Sequence, residues 1–292
     1  MNDDKNIGQI TGSEIVEDTI GRQYHIDLAP GEVAGTVFLV GDPARAKKVS
    51  EHFDTVTLSR HNREFLSFTG TITGFHGRSI PVTVLSTGIG TDNVEICMVE
   101  LSRITPDTVT LIRLGSCGGL QDHTRVGDLV ISTGAVRLEN TSLFFVDSGY
   151  PAVAHHEVVL ALTGACQKLG FKYHVGLTAA ASGFYGAQGR KIEKFPLKFP
   201  DLPDQLRKRK VLNFEMESST LFTLSQLWGI RSGTICTVYA NRFTGDFITP
   251  ELKVSAEDNC IKAGLEAGRI LQWMDGNKKS SKYWAPELPD SQ

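Results

Sequence analysis

An α/β fold, a single domain with a large mixed, curled central β-sheet flanked by helices, is predicted by three observations. Short, β-branched apolar runs alternate with segments of helical spacing along most of the 292 residues. Glycine or polar turns close most of the runs, and no internal repeat interrupts the pattern. In order, residues 36–40 read as a buried strand and 44–52 as a helix, with Asp42 as its N-cap and Pro43 at the first helical position. Residues 82–86 read as a strand and 92–104 as a helix. Strands follow at 108–114 and 128–133, then a helix at 157–169 and a strand at 173–180. Residues 218–228 have helical spacing, 234–240 strand character, and 256–274 helical spacing again. Alternation of this kind favours a sheet that curls around a core. The polar stretch 1–21 reads as an N-terminal extension, 22–275 as the domain, and 276–292, rich in Lys, Ser, Pro and Asp, as a polar tail.

Charge and composition narrow the function classes. Lys and Arg number 30 against 33 Asp and Glu, a net charge of −3 with a pI near 6.2, so nothing attracts nucleic acid or an anionic membrane broadly. No run of about 18 apolar residues occurs, and the start of the chain lacks the basic and then apolar order of a signal peptide. A soluble, cytoplasmic protein acting on a small molecule is expected. Five widely spaced cysteines, an odd number, read as free thiols. Neither C-x-x-C nor H-x-x-x-H spacing is present, and His155 and His156 are adjacent, so no metal site is expected.

Two segments carry most of the chemistry. F-Y-G-A-Q-G-R at 184–190 brings an aromatic face, an amide and a guanidinium together, a set suited to a flat heterocycle with a polar edge. N-F-E-M-E-S-S at 213–219 offers Glu215 and Glu217, which in an extended segment share a face and can approach one polar ligand such as a sugar. Glu215 can instead cap the helix that follows, and Phe184 and Met216 can be core.

Three strand-ending turns are candidate anion sites. In G-D-P-A-R, at 41–45, backbone N–H groups, a helix N-terminus and Arg45 converge. In R-L-G-S-C-G-G, at 113–119, Arg113 ends an apolar strand and needs an anionic partner, either a ligand or a structural carboxylate, while Ser116 and nearby amides can complete an oxyanion cup. S-T-G-I-G-T-D, at 86–92, allows close backbone approach. Cys117 reads as a small residue in a tight turn rather than a nucleophile. H-N-R-E-F, at 61–65, adds Arg63, for which a surface salt bridge is the plain alternative. No G-K-S or G-K-T follows these glycines, and the G-x-G at 88–90 lacks a third glycine, so ATP and NAD are poorly supported and free phosphate is the better candidate.

Taken in order, these segments resemble the nucleoside phosphorylase superfamily, in its uridine phosphorylase branch, over about residues 24–273. F-Y-x-x-Q-x-R is the part that points to a pyrimidine. Purine-cleaving relatives carry an aspartate after the last core strand, where this chain reads Tyr239, Ala240, Asn241, Arg242. The resemblance implies reversible cleavage of uridine by inorganic phosphate, with no metal or organic cofactor. By similarity, Gly41, Arg45, Arg113 and Ser116 hold phosphate, with Arg63 arriving from a neighbouring subunit. Ser116, Met216 and Glu217 lie at the ribose, with His25 of the neighbour at the 5′ hydroxyl. Phe184, Gln188 and Arg190 take the base, and Glu215 and Arg242 support. Arg113, Arg190 and Glu217 are the residues expected to act on the reaction itself. Residues from two subunits make a homo-oligomer necessary, a dimer at minimum and a hexamer in bacterial relatives. Glu64, Ile89 and Asn93 align with positions that hold a monovalent cation such as potassium between subunits in some relatives, with Asn93 in place of serine. Ser116 stands where threonine is usual. Tyr239 and Ala240 replace smaller aliphatic residues near the base, which bears on 5-substituted uracils and thymidine. The competing readings are a purine nucleoside phosphorylase, a hydrolytic nucleosidase and a non-catalytic nucleoside-binding protein.

Overall fold

Residues 36–40, TVFLV, are apolar after the first position and buried on both faces, as a central parallel strand requires. A computed structural model of the chain describes residues 12–278 and 281–286. The outer parts of the expected N-terminal extension and C-terminal tail, 1–11, 279–280 and 287–292, lie outside the described residues. Elements run β1 (Thr36–Val40), α1 (Pro43–Ser50), β2 (Thr55–Asn62), β3 (Phe65–Thr73), β4 (Ser79–Ser86), α2 (Thr91–Ile104), β5 (Thr110–Gly119), β6 (Leu129–Leu138), β7 (Ala152–Val153), α3 (His156–Leu169), β8 (Tyr173–Ala181), α4 (Leu202–Lys208), β9 (Asn213–Glu215), α5 (Ser218–Trp228), β10 (Arg231–Asn241) and α6 (Pro250–Gly276).

All the strands join one mixed sheet in the order β10-β6-β8-β9-β5-β1-β4-β3-β2, with β7 on β6. Because β10 also pairs with β5, the strands β10, β6, β8, β9 and β5 close on themselves as a partial barrel, and the expected curled sheet is observed. Strand β1 shows how the layers are set. Val37 and Leu39 face α2 and α5 in one apolar cluster, while Phe38 and Val40 face α1, α3 and α6 in another, as the period of two dictates. Each such buried side chain contributes roughly 1.5–3 kcal/mol of transfer free energy.

Several boundaries differ from the sequence reading. Helix α6 begins at Pro250, ahead of the expected 256, because Thr249 caps it by accepting from the Leu252 N–H and proline occupies the first turn. Strand β6 runs to Leu138 rather than 133, since its second half pairs with β8 beyond a register slip at Ser132/Gly134. The hairpin β2–β3 and helix α4 were not foreseen, and of the extended segment expected at 213–219 only Asn213–Glu215 is strand. The outer face of β2 is exposed, and β9 has only three residues. Asp42 does cap α1, accepting from the Ala44 N–H at 2.9 Å, with Pro43 next.

The described flanking residues are anchored. Glu17 pairs with Arg103 at 2.9 Å, and the Trp284 N–H donates to Glu157 at 2.8 Å. All five cysteines are free and buried, as expected. Among the described residues no helix is long and apolar enough to cross a membrane.

Candidate active site

Strand β5 carries the centre of the site, and here the sequence reading needs correction. The segment R-L-G-S-C-G-G is strand throughout rather than a strand-ending turn: it pairs with β10 as far as Gly119–Asn241 and with β9 at Gly118 and Gly119. Its glycines make room for neighbours instead of turning the chain. A Cβ on Gly115 would lie 1.8 Å from Arg113 Nη1 and 2.8 Å from Cys236 Sγ, so the guanidinium lies across the face that Gly115 leaves open. Cys117 is likewise strand rather than turn, and burial, then Cys236, pushes its thiol well above the usual range. A Gly115→Ala variant is expected to lose about 2 kcal/mol in urea unfolding through overpacking.

Arg113 is 5% exposed and faces two carboxylates. Its Nη2 donates to Glu217 Oε2, and its Nε is 3.7 Å from Glu215 Oε2. Nη1 is buried without a partner among the described residues. An orphaned buried donor costs roughly 1–3 kcal/mol unless something accepts from it, which is the mark of a place kept for an acceptor. Both readings of Arg113 are therefore present, a structural carboxylate and a donor left over.

Glu215 and Glu217 do not share one extended segment as expected. The strand stops at Glu215, and Glu217, at φ −137 and ψ −29, sits at the N-cap position of α5 without a capping bond from its own side chain. Glu215 accepts the N–H groups of Glu217 and Ser218 at 3.1 and 3.0 Å, so its capping role is real, while Glu217 accepts the Gly90 N–H at 2.8 Å. Burial pushes the Glu215 carboxyl up to about 7, Arg113 opposing the rise and Glu217 adding to it. A carboxyl raised from 4.5 contributes stability that is fully present below 4.5 and lost as pH climbs through about 7. Glu215→Gln keeps an acceptor for the two N–H groups and removes the titration. The variant is expected to gain on the order of 1–3 kcal/mol relative to the parent between pH 5 and pH 8, read by urea unfolding at both.

The second arginine is also fully engaged on one side. Arg45 Nε donates to Glu257 at 2.7 Å, Nη1 to the Leu114 carbonyl at 3.3 Å and Nη2 to the Tyr239 hydroxyl at 3.2 Å. Behind it, Lys48 Nζ reaches the other oxygen of Glu257 at 2.5 Å. Arg190 stacks on Phe184, 3.9 Å from the ring centroid, and its Nε donates to the Phe184 backbone carbonyl at 2.9 Å. Gln188 is 3% exposed, and its backbone carbonyl accepts from Arg242 Nη1 at 3.3 Å. The Asn241 amide is spent locally: Nδ2 donates to the Gln121 and Thr124 carbonyls and Oδ1 accepts from Phe243 and Thr244. It holds the turn after β10.

One cavity of about 760 Å³ joins these groups. Gly41, Arg45, Arg113 and Ser116 line it, as do Glu215, Met216 and Glu217, and Phe184, Gln188 and Arg190. His25, Arg63 and Arg242 do not. His25 Nδ1 lies 2.6 Å from Glu100, and Arg63 is an exposed turn residue at φ 52, its guanidinium 5.7 Å from the Tyr24 ring centroid. Among the described residues Arg63 forms no salt bridge, against the plain alternative. Glu64, next in the chain, does line the cavity and accepts from Asn93 Nδ2 at 3.2 Å, with Ile89 on the same wall. Gly88, at φ +74, would place a Cβ 2.3 Å from that Asn93 amide, so only glycine fits. Phe247 and Lys253 also line the cavity and were not foreseen. Phe247 reaches it through a single bridge to Ala240, and Lys253 from the first turn of α6, neither of which has a local signature.

Known proteins are similar along most of the chain. The profile of the Phosphorylase superfamily matches residues 36–272. A uridine phosphorylase of Thermococcus kodakarensis is 42% identical over 272 residues, 92% of this chain and 94% of that protein. A guanosine phosphorylase of Halorubrum lacusprofundi is 31% identical, over 84% of this chain and 95% of that protein. Among solved structures, a Trypanosoma brucei nucleoside phosphorylase, described as showing uridine phosphorylase activity, aligns with a TM-score of 0.78 at 26% identity, covering 87% of this chain and 98% of that one.

Proposed function

Because this chain belongs to the Phosphorylase superfamily, we infer that it is a uridine phosphorylase, a pentosyltransferase that moves ribose between uracil and inorganic phosphate. The observation that carries the reading is the shared cavity. Two arginines, with Ser116 and the Gly41 backbone, suit a tetrahedral anion, and the Phe184, Gln188 and Arg190 group on the same cavity's wall suits a planar base. Met216 and Glu217 line the same cavity and are the groups assigned to the sugar.

In the forward direction a phosphate oxygen forms the new bond to C1′ while the bond from C1′ to the uracil nitrogen breaks, its electron pair leaving with the base. Positive charge grows on the ribose and negative charge on uracil. Phosphate stabilises the first, and the Arg190 guanidinium with the Gln188 amide stabilises the second. Glu217 accepts from the ribose 2′ and 3′ hydroxyls, and Arg113, freed from Glu217 by that exchange, turns its donors to phosphate. Its unpartnered Nη1 supports that role. Uracil leaves as a delocalised anion, so no acid is required where Asn241 stands.

His25 and Arg63 serve the cavity of a neighbouring subunit, at the ribose 5′ hydroxyl and at phosphate, and a dimer is the smallest complete unit. Their absence from this chain's own cavity wall and the exposure of Arg63 support this.

Uracil release from uridine, followed with and without inorganic phosphate and with inosine and thymidine in parallel, tests the reading. Release that requires phosphate is expected. Phosphate-independent release would make the protein a hydrolase, inosine cleavage without uridine cleavage would make it a purine enzyme, and binding without turnover would leave only a nucleoside-binding protein.

A further inference from the structure

The register between β10 and β5 slips by one residue between Val238, opposite Cys117, and Ala240, opposite Gly118. The residue left over is Tyr239. Bulges of this kind re-aim a side chain, and they recur beside active sites. This one brings the Tyr239 side chain to the wall of the cavity, with its hydroxyl 3.2 Å from Arg45 Nη2. Arg45 has no acceptor, so in that contact the phenol oxygen accepts, and its own proton has no acceptor among the described residues. Arg45 itself is held from behind by Glu257 and the Leu114 carbonyl, which leaves one hydrogen on each of Nη1 and Nη2 unused. Lys253 Nζ sits 5.4 Å from the Tyr239 ring centroid and adds a positive charge to the same wall.

We propose that the Tyr239 hydroxyl is a phosphate ligand, donating its proton to a phosphate oxygen held by Arg45, so that phenol and guanidinium act as one anion clamp. The proposal rests on the phosphorylase reading above. Burial keeps the phenol protonated, pushing it up to about 12 while Arg45 pulls the other way, so at neutral pH the group is a donor and not a second negative charge. An aliphatic side chain at this position lacks that donor. If the residue served only as a wall for the base, its hydroxyl would have no function at Arg45 and its loss would be felt by the nucleoside.

Tyr239→Phe keeps the ring and the bulge and removes the hydroxyl alone. Initial rates at varied phosphate and varied uridine are expected to show KM for phosphate raised about tenfold, with KM for uridine within about twofold of the parent, as for loss of one hydrogen bond to a charged group. KM for ribose 1-phosphate in the reverse direction should rise in step. Tyr239→Leu, the second variant, should show the same phosphate loss. An unchanged phosphate KM in both variants, or a change confined to the uridine KM, overturns the assignment. Arg45→Ala, run alongside, separates the two levels. Phosphate affinity lost there but kept in Tyr239→Phe would sink the clamp and leave the phosphorylase standing, whereas uracil release by the parent protein without phosphate would remove the reading itself.

Discussion

Arg113→Ala is expected to lower kcat/KM for uridine phosphorolysis by at least a thousandfold and to destabilise the fold in the same stroke. Removing a donor aimed at developing or transferred charge costs about 10²–10³ in rate on its own. Arg113 also balances Glu217 and Glu215, both buried and both within ion-pair reach of it. Breaking a buried pair by removing one partner typically costs about 3–5 kcal/mol, because the remaining charge stays behind in a poorly solvating interior. Urea unfolding and steady-state kinetics should therefore fail together. Arg113→Lys is the informative companion: charge is kept and the planar fork is lost, so stability should recover further than rate. An Arg113→Ala protein that unfolds like the parent and keeps its phosphate KM would remove Arg113 from the centre of the site.

Arg190→Ala is expected to cost about 3 kcal/mol of barrier, roughly a hundredfold in kcat/KM for uridine, with little change in stability. The side chain stacks on a half-exposed Phe184 and bonds a loop carbonyl, and it balances no carboxylate among the described residues. Burial lowers its pKa only in part, Tyr185 opposing, so the guanidinium stays charged and available. Its loss should fall on base recognition, leaving the KM for phosphate within about twofold of the parent, since among the described residues no hydrogen bond or ion pair joins it to Arg45 or Arg113. Near-normal turnover of uridine by this variant would sink the base assignment.

The contrast between these variants reflects what was legible in the chain. The base-binding group is local: Phe184, Gln188 and Arg190 fall within one short segment, so their types alone suggest a heterocycle. Arg113 was legible because a charge at the end of an apolar strand demands a partner, and Arg45 because it follows a glycine turn at a helix N-terminus. The alternation of strands and helices foretold the curled α/β sheet. Three features stayed hidden. The glycines at 115, 118 and 119 look like a turn in sequence, yet they extend β5, because what they accommodate is a neighbouring side chain or strand rather than a change of direction. Phe247 and Lys253 reach the cavity through a single bridge to Ala240 and through the first turn of α6, and neither leaves a periodic mark in the sequence. The hairpin β2–β3 escaped because β2 leaves much of its surface to solvent and so lacks a continuous apolar run.

Closure of the barrel by the β10–β5 pairing sets an order of events during synthesis. Arg113 waits for Glu215 and Glu217, about a hundred residues downstream, and β5 waits still longer for β10. Contacts so distant along the chain form slowly, because the loop entropy is spent before the contact repays it. A nascent chain that has reached only α4 therefore holds a bare guanidinium on an unfinished strand edge. Any fragment ending before β10 is expected to fail as an independent folding unit.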